Sequence, residues 1–342
     1  MNKKNIIPVF VPHQGCPHDC VFCNQRKITS VEKKLNREEI LSYIDEYISY
    51  FKEPENLQIA FFGGSFTAIN RDLMIEYLEI AKLYIDKGLV SSVRLSTRPD
   101  NISEEILAIL KEYKVEVIEL GVQSMKDEVL KANEREHTVE AVYKSVDLIK
   151  AYGFTLGLQM MTNLYEDSFQ DDLETARKII GLSPDFVRIY PTLTIKDTKL
   201  AHLYESGLYR PLSLDESVAQ TSAIYKLFKE ANIRVIRIGL QATEDLNDQE
   251  NVLAGPFHPA YRALVESKIY RERIENGLDK KEKVKKLTIY ANPKDISDIV
   301  GDRGSNRDFL KSHYNLGELS FKPINIDQGK MILDKDGLRI YI

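Results

Sequence analysis

The sequence predicts an α/β protein: a right-handed array of strand–helix units followed by a small α+β unit. Two observations predict it. Short, nearly continuous apolar runs alternate with amphipathic, helix-length segments over about 190 residues, the pattern of parallel strands joined by crossover helices. From Leu287 the pattern changes to a strand, two short helices and further strands. Periodicity alone does not distinguish a barrel from an open sheet.

The strands are predicted in order at Ile6–Pro12, Leu57–Phe62, Val93–Thr97, Val115–Val122, Phe154–Met161 and Phe186–Pro191. All are rich in Val, Ile, Phe and Leu, which suits a sheet buried on both faces. The helices between them are predicted at Arg37–Phe51, Arg71–Lys87, Ser103–Tyr113, Thr138–Tyr152 and Ser168–Ile180. Asn36 with Glu39 three residues on, and Ser103 ahead of Glu104 and Glu105, are N-terminal caps. Lys87-Gly88 and Tyr152-Gly153 are stops. One further helix (Glu216–Ala231) and strand (Ile233–Leu240) complete the array. A polar, acidic stretch (Thr243–Asn251) and a rigid Gly255-Pro256-Phe257-His258-Pro259 break lead to another helix and a charged linker, Asn276–Lys286. This divides the chain into residues 1–240, an extension and linker at 241–285, and a small domain at 286–342.

Composition limits the function classes. The longest apolar runs are far short of a membrane span, and Ile6–Pro12 is too short for a signal-peptide core. Three Cys in 342 residues are no disulfide scaffold, so a reducing, cytoplasmic setting is expected. The net charge is −5, which excludes a generic polyanion binder. The charge is uneven: residues 268–342 carry 16 basic and 12 acidic residues, a net of +4, and the remainder a net of −9. A basic tail on an acidic body points weakly to an anionic partner.

All three Cys fall in one polar loop after the first strand: Cys16, Cys20 and Cys23. Clustered Cys in such a chain mean metal or redox chemistry. One reading is structural zinc with His13 or His18 as fourth ligand, although no second hook accompanies the first. The other is a four-iron cluster held by three thiolates, one iron remaining open because the chain has no fourth Cys.

The Cys16-x3-Cys20-x2-Cys23 spacing, with the aromatic Phe22 before the last Cys, resembles the signature of radical S-adenosylmethionine enzymes. The resemblance implies a partial (β/α)6 barrel and a [4Fe-4S] cluster on Cys16, Cys20 and Cys23. It also implies S-adenosyl-L-methionine bound at the open iron and cleaved to a 5′-deoxyadenosyl radical. A reductant protein of flavodoxin or ferredoxin type is implied as partner. Phe62-Gly63-Gly64-Ser65 at the end of the second strand matches the Gly-Gly motif that contacts the methionyl amino group. Ser65 stands where many members carry Glu, so a backbone contact carries over and a carboxylate contact does not. Thr97 and Arg98 end the third strand, facing the same ligand in the family; the plainer reading of Arg98 is a loop salt bridge with Asp100. Gln123 ends the fourth strand toward the same end. Gly157 to Met161, on the fifth, would lie beside the adenine, or its Met pair simply in the core. Arg188 to Leu200, with Ser96-Thr97-Arg98-Pro99-Asp100 and Gly121-Val122-Gln123-Ser124, resembles the Elongator catalytic subunit, which modifies tRNA wobble uridine. Residues 6–240 carry that resemblance, and Gly255–Pro259 fits an extension of its short bacterial relatives. The Elongator acetyltransferase-like domain has no counterpart in the expected layout, so acetyl transfer is not carried over.

The tail order, β-α-Gly301-Asp302-Arg303-Gly304-α-β-β, is that of a KH-like RNA-binding fold; two glycines that merely join helices are the alternative. Lys330–Leu333 is expected to lie between the last two strands, and Ser305 to cap the second helix. Three substrate readings stay open: RNA, with tRNA foremost; a small metabolite such as a tetrapyrrole; or none, in a metal-containing RNA-binding protein.

Overall fold

The computed structural model describes residues 4–11, 20–24, 36–53, 56–240, 251–279 and 284–342. The first part of the chain runs β1 (Asn5–Val11), α1 (Arg37–Ser49), β2 (Leu57–Gly63), α2 (Arg71–Asp86), β3 (Ser92–Thr97), α3 (Glu104–Glu112), β4 (Val115–Gln123), α4 (Asp127–Ala132), α5 (Val139–Ala151), β5 (Thr155–Thr162), α6 (Phe169–Gly181) and β6 (Phe186–Pro191). It continues with β7 (Thr194–Ile195), α7 (Lys199–Glu205), α8 (Leu214–Glu230), β8 (Arg234–Ile238) and β9 (Val252–Ala254). The remainder runs α9 (Tyr261–Asn276), β10 (Lys286–Ala291), α10 (Ile296–Val300), α11 (Ser305–His313), β11 (Glu318–Pro323), β12 (Met331–Lys335) and β13 (Leu338–Tyr341). Among the described residues no helix is long and apolar enough to cross a membrane.

The chain forms two compact units. The larger, Met1–Ser213 with Ile224–Phe257, holds a seven-stranded sheet in the order β1-β2-β3-β4-β5-β6-β8. Every neighbouring pair in it is parallel, and the curled sheet is the expected partial barrel. The caps act as expected. Asn36 and Glu39 form a reciprocal capping box at α1, and Ser103 accepts from the Ile106 amide at α3.

The sheet is not apolar on both faces. One set of alternate residues, including Ile59, Phe61, Leu95, Ile118, Leu120, Leu158 and Ile189, is fully buried. The other set mixes apolar and charged side chains. There Glu119 lies between Arg94 (3.0 Å) and Arg188 (2.5 Å), and the Arg188 Nη1 donates to Tyr190 Oη at 3.1 Å. Gly157 makes room for this set: a Cβ there would stand 2.4 Å from the Phe186 ring and 3.0 Å from the Glu119 Cγ.

The smaller unit, Leu214–Ala223 with His258–Ile342, takes in α9 as well as the tail that begins at Lys286. The reason is packing: Tyr270, Ile274 and Leu278 share one apolar core with Leu287, Ile289, Ile299, Leu310, Met331 and Leu333. Its sheet has the order β11-β10-β12-β13, β10 being parallel to β11 and antiparallel to β12. The segment expected merely to link the last strands is itself a strand, β12, because Met331 and Leu333 face the core. Gly304, in left-handed conformation, precedes α11 in place of a Ser305 side-chain cap.

Candidate functional site

The C-terminal ends of β1 to β4 lie side by side in the sheet, and the described part of the cysteine segment is residues 20–24. Gly63, at φ 105°, presses on β1: a Cβ would stand 2.7 Å from the Val11 carbonyl oxygen. The Gly64 amide points to that same oxygen at 3.5 Å. Only glycine permits both the close approach and the positive φ. Beyond Val11, Cys16 lies outside the described residues. Cys20 is buried, Cys23 is half-buried, and neither is in a disulfide.

The loop after Cys20 is tied at two remote points. The Val21 amide donates to the Asn133 carbonyl at 3.1 Å, and the Val21 carbonyl accepts from the Leu200 amide at 2.8 Å. Val21 and Phe22 lie in an apolar cluster with Tyr165, Leu200, Leu203 and Tyr209. The Cys23 amide closes a turn onto the Cys20 carbonyl at 2.9 Å.

Ser65, Thr97 and Arg98 form one hydrogen-bonded group. The Ser65 and Thr97 hydroxyls are 2.8 Å apart, and the Arg98 amide donates to Ser65 Oγ at 3.2 Å. Thr67 joins Thr97 at 2.6 Å. The Arg98 guanidinium is 2 % exposed. It is bidentate on Asp100, at 2.9 Å for each bond, and donates to the Arg135 carbonyl at 2.5 Å. The plainer reading of Arg98, a loop ion pair, is therefore present in the structure. Burial raises the Asp100 carboxyl pKa, but the Arg98 hydrogen bonds and charge outweigh it and hold the group below its ordinary value.

Gln123 has left-handed backbone, φ 68°, at an irregularity in the β4–β5 register. Its Oε1 accepts from Gln159 Nε2 at 3.2 Å. Such a conformation costs roughly 1–3 kcal/mol and persists where surrounding structure enforces it.

Arg135 was not among the residues expected from the sequence. Its Nη1 donates to Cys20 Sγ at 3.5 Å and its Nη2 to the Gly121 carbonyl at 2.6 Å. Its buried Nε has no hydrogen-bond partner among the described residues. Glu134 and Glu136 both take positive φ, 52° and 60°, and this double reversal turns Arg135 inward. In the sequence Glu-Arg-Glu reads as a solvated turn, so charge pattern gave no signal. Next to it His137 is 4 % exposed, with Nε2 3.2 Å from the Val122 carbonyl. Burial first, then the Arg135 charge, lowers its pKa to about 3.

Among the described residues Cys20 and Cys23 supply two sulfur donors, and no group of three or more metal-ligating side chains is present. The buried Cys20 sulfur faces a guanidinium, which offsets the negative charge that accumulates where several thiolates share a metal. Soft sulfur donors suit iron–sulfur or zinc.

Residues 10–179 match the Radical SAM superfamily and residues 184–271 the Radical SAM C-terminal domain. An uncharacterized protein of Methanocaldococcus jannaschii is 28% identical over 222 residues, 64% of this chain and 65% of that protein. Elongator complex protein 3 of Homo sapiens is 33% identical over 149 residues, 41% of this chain and 27% of its own length. The tRNA uridine(34) acetyltransferase of Methanocaldococcus infernus is 32% identical over 127 residues, 36% of this chain and 24% of that protein. The chain thus spans about a quarter of the length of these last two relatives. Among solved structures, Methanocaldococcus infernus Elp3 with an N-terminal deletion superposes with a TM-score of 0.61 at 20% identity, covering 81% of this chain and 64% of that one. This is a likeness of fold.

Proposed function

The chain belongs to the radical SAM superfamily of enzymes, and from that premise we propose that it modifies RNA, with tRNA foremost, from a [4Fe-4S] cluster held by Cys16, Cys20 and Cys23. Members of the superfamily use the cluster and S-adenosyl-L-methionine, and the bound pair supplies a reactive carbon radical to a substrate C–H bond. The observation that carries the proposal is the buried Cys20 sulfur, held against Arg135 at the end of the strands that bear Gly63, Gly64, Thr97 and Gln123.

In this reading the chain's own residues position and shield. The Gly63-Gly64 turn offers main-chain groups to the amino-acid end of the ligand. Arg135 holds the thiolate loop against β4 and offers its spare Nε–H to an anionic group. Arg98, through the Arg135 carbonyl, and Ser65 with Thr97 keep that corner fixed. Gln123 and Gln159 form a polar pair suited to a nucleoside. The choice of RNA is supported by the names of the relatives and by the exposed Asp302 and Arg303 between Gly301 and Gly304, the place where a KH-like loop meets a phosphate backbone. A flavodoxin- or ferredoxin-type protein would deliver the electron.

The test is anaerobic reconstitution, iron analysis and S-adenosylmethionine cleavage, with small RNAs from wild-type and deletion cells compared for modified nucleosides. Four irons and cleavage are expected, both lost in Cys20→Ala. Stoichiometric zinc without iron, in protein never exposed to air, overturns the cluster assignment. Identical nucleoside profiles overturn the RNA assignment alone.

A further inference from the structure

The smaller unit has a face that its own core does not use. Its helices pack on the side of the sheet that carries Leu287, Ile289, Met331 and Leu333. The register sets the opposite side. Tyr290 pairs with Lys322 on β11 and with Ile332 on β12, and Ile332 pairs with Tyr341 on β13. Lys322, Tyr290, Ile332 and Tyr341 therefore stand in one row across four strands. The row beside it is Ser320, Thr288, Asp334 and Arg339. Side-chain contacts agree with this alignment: Thr288 and Ser320 hydroxyls are 3.0 Å apart, and the Arg339 guanidinium lies 5.6 Å from the Tyr290 ring centroid. Tyr341 is 75% exposed and Tyr290 is half-buried, whereas Thr288 in the second row is buried.

We propose that this open face is a stacking platform for single-stranded RNA, with Tyr290 and Tyr341 taking bases and Lys322 and Arg339 taking the backbone. The proposal rests on the reading of RNA as substrate class and assigns it a second surface, on the other side of the sheet from the Gly301–Gly304 loop. Two strand spacings put the tyrosines roughly 10 Å apart, so they serve different nucleotides of one strand. Aromatic rings on an open sheet, with guanidinium planes beside them, recognise unstacked bases with little sequence preference. The charge fits. The face carries Lys286, Lys322 and Arg339 against Glu318 and Asp334. Lys286 already neutralises Glu318 (2.8 Å) and Arg339 neutralises Asp334 (3.3 Å). Lys322 has no carboxylate partner among the described residues. The face also lies in the part of the chain, 268–342, that is net positive. A protein partner fits less well, because Ile332 is the only aliphatic side chain in the two rows.

The experiment uses the full chain, purified anaerobically, with a fluorescein-labelled oligouridylate of about 12 nucleotides, within the usual span of single-strand sites. A duplex of the same length is the control. Wild type is expected to bind the single strand more tightly than the duplex, and more weakly as salt rises. Tyr341→Leu and Tyr290→Leu should each weaken binding about tenfold, while Tyr341→Phe, which keeps the ring, retains it. Iron content and melting temperature establish that the variants are folded. Equal affinity of wild type and both Leu variants overturns the platform, as does absence of single-strand binding by wild type. A wild-type dimer that Tyr341→Leu converts to monomer also overturns it, in favour of a second copy on this face. These outcomes are separable from failure of the enzyme reading, which is scored by S-adenosylmethionine cleavage and cellular nucleoside profiles.

Discussion

Arg98 donates to the main-chain carbonyl of Arg135 at 2.5 Å, and Arg135 in turn donates to the sulfur of Cys20 at 3.5 Å. A residue chosen from the sequence as a ligand contact is thus tied to one that the sequence did not single out.

Arg135→Ala is expected to weaken S-adenosylmethionine binding about tenfold or more, the effect of losing one charge-assisted hydrogen bond in a largely dry site. Arg98→Ala should weaken it as well, and the double variant should be little worse than Arg135→Ala alone, because Arg98 acts through Arg135. A double-mutant cycle on the Kd checks this. Additive losses would mean that Arg98 meets the ligand independently.

Gly63→Ala should cost roughly 1–3 kcal/mol, since the new Cβ meets the Val11 oxygen and the backbone must hold a positive φ. The strain falls on the end of β1, where the cysteine loop begins. Iron retained after reconstitution should therefore fall further than global stability, as measured by denaturant unfolding. Gly88→Ala is the comparison: its φ is also positive, 70°, but a Cβ there meets nothing within 4 Å.

Glu119→Ala removes the carboxylate that Arg94 and Arg188 share inside the half-barrel. Loss of one partner from such a buried network costs about 3–5 kcal/mol. Adding Arg94→Met and Arg188→Met should recover much of the loss. Denaturant midpoints of the single and triple variants test both statements.

His137 sets a pH dependence. Its folded pKa, about 3, lies below the ordinary 6.5, so the unfolded chain takes up a proton that the folded chain refuses. The neutral ring's contribution is complete above pH 6.5 and is lost progressively as pH falls toward 3, by about 1.4 kcal/mol per pH unit. The stability difference between wild type and His137→Gln should therefore shift by about 2 kcal/mol against wild type between pH 6.5 and pH 5. Asp167, raised to about 6 chiefly by burial, has the opposite sign and loses its contribution as pH rises from 3.8 through 6. Taking the difference between variant and wild type cancels it.

The strands were legible because each is a compact apolar run between turn residues; all seven predicted starts fall within one residue of those observed, and β6 matches at both ends. The helix α4 was not, because its six residues are flanked by charged turns and carry too few apolar positions to show a period. Nor was the mixed inner face. Arg94, Glu119 and Arg188 each interrupt an otherwise apolar run, and only the ion pairs of the folded sheet show that they meet. Ser65, Thr97, Arg98 and Gln123 were readable as strand ends. Arg135 was hidden because its burial depends on two successive backbone reversals at glutamates, which have no sequence signature.

Val21 hydrogen-bonds to Asn133 and Leu200, residues about a third and about half of the chain length away. Closing loops of that size is among the slower events in folding. While the chain is still emerging during synthesis, neither anchor exists, and the thiol-bearing loop has nothing to dock on. If the proposed cluster sits in this loop, its loading would wait for a nearly finished barrel: a chain truncated before residue 200 should fail to retain iron even though every cysteine is present.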